Sequence, residues 1–316
     1  MRKSLYCLFI LMTSGAFVLV CLFLFMSVEL FDPVEQARVK NNKQFWEWPS
    51  AYGPLAMHYI EQGEGNDHVL LIHGFRAHTY TWRHLITPLA QAGYHVWAVD
   101  LIGYGLSDKP DHVPYDMPFF VEQLEAFMKS HQISQAHIAG NSMGGGLALS
   151  LALDHSDLVK SLTLISALGY PLDLPLYLSL SRHLGPLWSP FLGPTVVRSS
   201  LRQIVFDAQS VTEEQVEAYC LPYRFPGGTK STLLTLQQFD KQIFVQLSRR
   251  FPQIKQPALI IWGDHDWLVP LKHFEHFKRD FPSAKALLIP NCGHIPQEEY
   301  PEIVLSTILP FLQSTK

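Results

Sequence analysis

Cysteine is scarce in this 316-residue chain: there are four, and two of them, Cys7 and Cys21, fall inside an apolar N-terminal run. No disulfide framework is implied. Metal-ligand spacings are missing as well, with neither a CxxC nor an HExxH despite fifteen histidines, so no metal site is expected. Charge is thin, at 16% of residues and a net value of −4, and no basic stripe is interleaved with aromatics. Nucleic acid is therefore excluded as a partner. No internal repeat or low-complexity tract occurs, and the length suffices for one large core or two small ones.

One stretch lacks charge altogether. From Ser4 to Val28 there is no Asp, Glu, Lys or Arg, and Arg2 and Lys3 stand just before it. As a helix these residues reach about 37 Å at ~1.5 Å per residue, beyond the ~30 Å hydrocarbon thickness of a bilayer. A cleaved signal peptide ends its shorter apolar region at a small-x-small site, whereas apolar residues here continue past Ser14-Gly15-Ala16. The expectation is a retained single-pass membrane anchor over residues 1–30. Arg2 and Lys3 are balanced by Arg38, Lys40 and Lys43, so charge does not choose the side that carries the rest of the chain. Residues 31–51 read as a stem whose Phe45, Trp46 and Trp48 suit a membrane interface or the surface of the following domain equally.

Residues 52–316 read as that domain. Short apolar runs at Val69–Ile72, Val96–Val99, Ala136–Ala139, Leu162–Ile165, Ala258–Trp262 and Ala286–Ile289 alternate with helical patterns. One such pattern is Pro118–Ser130, with Phe120, Leu124, Phe127 and Met128 on one face. Continuous apolar strands between helices predict an α/β fold with a mostly parallel, doubly wound sheet. The alternation fails over about residues 168–250, a proline-dotted segment with helical fragments such as Thr212–Tyr219. Inserted between two strands, it is expected to cap the carboxyl ends where open sheets place their sites. Apolar residues from Leu176 to Leu192, including Tyr177, Trp188 and Phe191, are candidates to line a pocket or simply to pack the cap.

The stretch Gly140-Asn141-Ser142-Met143-Gly144-Gly145 stands where the third of these strands runs into an Ala/Leu-rich helix. A serine on so tight a bend is held exposed, small neighbours let backbones pass closely, and the helix N-terminus favours developing negative charge. This pattern is a nucleophile elbow. A serine hydroxyl needs a base, and the base an acidic partner, in the chain order Ser, acid, His. His294, in Asn291-Cys292-Gly293-His294, follows the last strand and suits the base. Asp264 and Asp266, after the strand Ala258–Trp262, are both candidates for the acid. Two backbone N–H groups must face the oxyanion, and Met143 and Phe75, the latter in His73-Gly74-Phe75-Arg76, stand at the right places. His73 and Arg76 are assigned structural roles, and Asp100 is expected to tie down the turn Leu101–Gly105.

Together these residues resemble the α/β-hydrolase superfamily over roughly residues 52–316. The motifs that carry it are His73-Gly74-Phe75, Asp100-Leu101-Ile102-Gly103-Tyr104-Gly105, the elbow, Gly263-x-x-Asp266-x-x-Val269-Pro270 and Gly293-His294-x-Pro296, all in family order. The resemblance implies the triad Ser142, Asp266 and His294, with Asp264 the alternative acid. The early motifs, with Trp82-Arg83, look like epoxide hydrolases and haloalkane dehalogenases, but those attack with an aspartate where Ser142 stands. The elbow resembles that of hydrolases splitting carbon–carbon bonds of ring-fission products, although Ile295-Pro296 follows His294 where those tend to carry an aromatic. A third similarity, through Gly74-Phe75-x-Ala77-His78, is to anchored monoacylglycerol-lipase-like serine hydrolases. The implied function is hydrolysis of apolar or lipid-like carboxylic esters, with no metal or organic cofactor. The alternatives are carbon–carbon cleavage of diketone acids and a non-catalytic, membrane-tethered protein. The expected partners are a small-molecule or lipid ester and the membrane; oligomeric state is left open.

Overall fold

The computed structural model describes residues 29–174, 179 and 193–315. Eight strands form one sheet: β1 Gln44–Ser50, β2 Gly53–Gln62, β3 His68–Ile72, β4 His95–Val99, β5 Ala136–Asn141, β6 Val159–Ile165, β7 Ala258–Gly263 and β8 Lys285–Ile289. Their order is β1-β2-β4-β3-β5-β6-β7-β8. The first two pairings are antiparallel and every later one is parallel. All six strands expected from apolar runs are present. Strands β5 and β7 are buried along their whole length, as strands covered on both faces must be.

The helices of the described residues are α1 Pro33–Lys40, α2 Ile86–Gln91, α3 Met117–Ser130, α4 Met143–Asp154, α5 Pro194–Ile204, α6 Glu213–Cys220, α7 Gly228–Gln237, α8 Lys241–Arg249, α9 Lys272–Asp280, α10 Pro296–Glu299 and α11 Pro301–Gln313. Helix α3 starts where Asp116 accepts a 2.9 Å bond from the Phe119 N–H, and it buries Phe120, Leu124, Phe127 and Met128. Helix α6 starts likewise at Thr212, which accepts from the Gln215 N–H. Helices α5 to α8 lie between β6 and β7, within the expected cap. Val197, Leu201, Val216 and Tyr219 of α5 and α6 pack with Ala77 and Ile295 in a small core separate from the two flanking the sheet.

The stretch read as a stem is instead part of the domain. Residues 33–40 are helical, and residues 44–50 pair along their whole length with β2. Trp48 is only 3% exposed in the main core, and Trp46 packs edge-on against Phe127 at 5.7 Å. The strand escaped detection because Glu47 and Pro49 interrupt its apolar pattern; proline is tolerated there because β1 is an edge strand. The expected anchor over residues 1–30 lies almost wholly outside the described residues, as do the apolar cap residues from Leu176 to Leu192. Among the described residues no helix is long and apolar enough to cross a membrane.

Candidate active site

The bend between β5 and α4 places Ser142 at φ +54° and ψ −117°, a strained conformation for a residue with a side chain. Close packing enforces it. A Cβ added to Gly144 would lie 2.1 Å from the Ile72 carbonyl oxygen, so only glycine lets α4 approach the end of β3. The Ser142 N–H donates to Ile165 O of β6 at 3.0 Å, while its carbonyl accepts from the Gly145, Gly146 and Leu168 N–H groups. The nucleophile candidate is thus pinned by three strands and the mouth of the cap.

His294 sits in the loop between β8 and α10, and its Nδ1–H donates to Asp266 Oδ2 at 2.8 Å. Both residues are buried. The other carboxylate oxygen, Oδ1, accepts from the Leu268 and Val269 N–H groups at 3.0 and 2.9 Å, which fixes its direction. Asp264 pairs with its exposed neighbour His265 at 2.5 Å and belongs to the surface of that loop. Ser142 and His294 line one pocket, together with Gly74 and Phe75. Phe75 and Met143 also border a second pocket that reaches Ser142. Among the described residues, neither the Phe75 nor the Met143 N–H donates to a protein acceptor. Gly74 is tightly placed as well: a Cβ there would sit 3.0 Å from that of Ser142.

Beneath the Phe75 loop, His73 accepts from the Leu101 N–H through Nε2 at 3.1 Å and donates through Nδ1 to Gly74 O at 2.8 Å. Burial pushes this histidine down to about 4, so it is neutral at pH 7 and acts as a spacer. Asp100 accepts from the Thr79 and Leu106 N–H groups and from His58 Nδ1, joining β2, β4 and the turn after the loop. Burial alone raises its carboxyl, but His58, with smaller contributions from His78 and His73, outweighs that and holds it well below the usual carboxylate range.

A family model described as the alpha/beta hydrolase fold matches residues 67–201 and 225–301. The chain belongs to the α/β-hydrolase family. A 2-hydroxy-6-oxononadienedioate/2-hydroxy-6-oxononatrienedioate hydrolase of Paraburkholderia phymatum is 30% identical over 270 residues, which are 82% of this chain and 91% of that one. A solved meta-cleavage product hydrolase is 27% identical with a TM-score of 0.74, over 85% of this α/β-hydrolase and 98% of that chain. A solved structure of a membrane phospholipase A is also 27% identical, with a TM-score of 0.68 over 100% of this chain and 99% of its own. The chain is an enzyme, a hydrolase, which sets aside the non-catalytic alternative.

Two positioning residues of this α/β-hydrolase escaped sequence reasoning. Asn141 Nδ2 donates to Ile165 O at 3.1 Å and to His294 O at 3.2 Å, tying the histidine loop to the elbow. Glu299 accepts from the N–H groups of Gly293 (3.0 Å) and Ile295 (3.4 Å), on either side of His294, and from Phe206 of the cap at 2.8 Å. Burial raises the Glu299 carboxyl, and these N–H groups partly oppose the rise. An acid in the first turn after a Gly-His loop was the available signal.

Proposed function

We propose that the protein is a serine hydrolase that cleaves carboxylic esters of apolar, lipid-like acyl groups through an acyl-enzyme on Ser142. The observation that carries this reading is the chamber beside Ser142, walled by Phe75, Phe120, Leu147, Leu236, Phe239 and Phe244. Burying an alkyl chain there gains roughly 0.8 kcal/mol per CH₂. Ser142 passes its proton to His294 and attacks the carbonyl carbon. Asp266 holds the imidazole tautomer and stabilises the imidazolium. The Phe75 and Met143 N–H groups receive the oxyanion, each typically worth ~10²–10³ in rate. His294 then gives its proton to the departing alcohol and activates the water that releases the acid. These steps call on no metal or organic cofactor.

The N-terminal apolar run is proposed to hold the enzyme at a membrane, where lipid esters are concentrated. Likeness to a membrane phospholipase A along the whole chain supports this. The test is direct. Ser142→Ala is expected to abolish hydrolysis of short p-nitrophenyl esters and labelling by a fluorophosphonate probe; full retention of either overturns the proposal.

The relatives named for meta-cleavage products favour a second reading, hydrolytic carbon–carbon cleavage by the same three residues. It predicts faster turnover of a vinylogous diketone acid than of simple esters, which a spectrophotometric comparison decides.

A further inference from the structure

A third cleft lies on the seam between cap and body, and it shares no lining residue with either pocket at Ser142. Its walls carry Ser248 and Arg249 from the end of α8, Tyr170, and the residues Lys272, His273, His276, Arg279 and Asp280 of α9. Three cations thus meet one carboxylate. That carboxylate is already committed, since Asp280 accepts from Arg279 at 2.7 and 3.0 Å and from Tyr170 Oη at 2.9 Å. Ser248 Oγ likewise donates to Val245 O at 3.2 Å. Among the described residues, Arg249 and Lys272 make no ion pair and no side-chain hydrogen bond. Asp173, whose charge Lys272 also meets, is paired with Lys241. The chain outside the described residues contains no Asp or Glu that could supply a further carboxylate side chain.

The histidines make a second, independent observation. His273 is fully buried, and among the described residues neither of its ring nitrogens is hydrogen-bonded; the Nδ1 of His276 is buried and unpaired as well. Their ring centroids are 6.1 Å apart. Burial, with Lys272 and His276 adding to it, holds His273 neutral at pH 7 against a weaker opposite pull from Asp266. A neutral imidazole has one N–H to give, and burying it without an acceptor is costly. Helix α9 also starts at Lys272 with no capping side chain from Leu271, so its positive end adds to the charge there. Cations and unpaired imidazoles on one cleft call for a ligand that is negative and rich in acceptor oxygens. We infer that this cleft binds a phosphate group, which bridges Arg249 of the cap to Lys272 and the histidines of the body. Arg249 suits it because a guanidinium offers paired N–H groups to two oxygens of one anion, and Lys272 adds a point charge. The group belongs either to a soluble phosphate or to the headgroup of an anionic lipid. The site stands apart from the ester-hydrolase reading and holds whatever bond Ser142 attacks.

The test uses the full chain and three probes: inorganic phosphate, glycerol 3-phosphate, and phosphatidylcholine vesicles with or without phosphatidic acid. A probe at about ten times its Kd should raise Tm by roughly 3–6 °C over chloride at equal ionic strength. Arg249→Gln should weaken binding roughly 10- to 100-fold, the range of a charge-assisted hydrogen bond. Arg249→Lys should keep part of the affinity because it restores charge but not the paired donors. Lys272→Gln should weaken binding too, whereas Lys278→Gln, on the same helix but outside the cleft, should leave it unchanged. The ring nitrogen resonances of His273 and His276 give a reading that needs no variant, and a bound phosphate should shift both. A response to either soluble phosphate supports the inference and names a soluble source. A response to phosphatidic acid vesicles alone, lost in Arg249→Gln, supports it and names the lipid headgroup. No response to any probe beyond matched chloride overturns it. So does a response that Arg249→Gln leaves intact, one that Lys278→Gln weakens equally, or histidine resonances that stay unmoved at saturation.

Discussion

The sheet and the cap of this hydrolase are held together by different forces. Around β3 to β7 the strands bury Leu70, Leu71, Ile72, Ile260 and Ile261 completely, and backbone approaches such as Gly144 against Ile72 leave no spare room. The cap meets the body through a smaller apolar cluster and a set of polar ties. Two of those ties, from Gln215 and Tyr219 of α6, end on Glu298 of α10, whose side chain is buried and which Thr81 and Arg83 of the body also reach. It accepts from Thr81 Oγ1 at 2.6 Å, Arg83 Nη1 at 2.5 Å and Gln215 Nε2 at 2.9 Å, and through a short bond from Tyr219 Oη. His78 adds a 2.9 Å bond from Nε2 to Ala218 O. Close packing holds reacting atoms in one place because it has no alternative arrangement nearby, whereas polar ties can be exchanged one at a time. The body thus supplies a closely packed platform, and the cap a cover tied to it by bonds that include Phe206 N–H to Glu299 and His294 N–H to Ile204 O at 2.7 Å, both at the histidine loop.

The largest effect is expected on the platform side of that contrast. Asp266→Asn should lower kcat on p-nitrophenyl esters by roughly 10⁴-fold with little change in the urea midpoint, since it keeps the shape and loses the tautomer control. Asp264→Asn should change kcat by less than about tenfold; the reverse order would move the acid to the other aspartate.

Next in size is a pH effect. His73 ionises near 6.5 when unfolded and near 4 when folded, so the unfolded chain binds the extra proton between those values. Stability from this residue is fully present above pH 6.5 and is lost as pH falls towards 4, by roughly 3 kcal/mol at the acid end. Burial lowers His273 to about 4 as well, in the same direction, so the His73→Asn variant is needed to isolate one contribution. Urea midpoints at pH 7 and 4.5 measure it, and an unchanged slope in that variant refutes the assignment.

Smaller still is Gly144→Ala, which forces a Cβ against Ile72 O and should cost about 1–3 kcal/mol while slowing fluorophosphonate labelling of Ser142. On the cap side, Glu298→Gln should cost about 1–3 kcal/mol from weakened charge-assisted bonds. Its signature is regional: faster tryptic cleavage within residues 194–249, with Ser142 labelling much less affected. If both variants perturb labelling equally, platform and cap are not separable in the way described.

The sheet was legible because strands buried on both faces must be continuously apolar, and α3 because its apolar residues recur at helical spacing. Edge strand β1 was not, since an edge tolerates Glu47 and Pro49. The elbow was legible because close backbone approach demands small residues at set positions. Asn141 and Glu299 were not, because an amide and a carboxylate acquire their work only from the loops they meet.

The sequence by itself determined the α/β layering, the elbow around Ser142 and the two loops that bear His294 and the aspartates, all of which follow from local spacing and chain order. How the Asp266 carboxylate is turned toward the histidine and how Glu298 clamps the cap were decided only by the tertiary structure. These depend on side chains more than a hundred residues apart, or on loop directions set by N–H groups such as those of Leu268 and Val269, and no local pattern encodes such meetings.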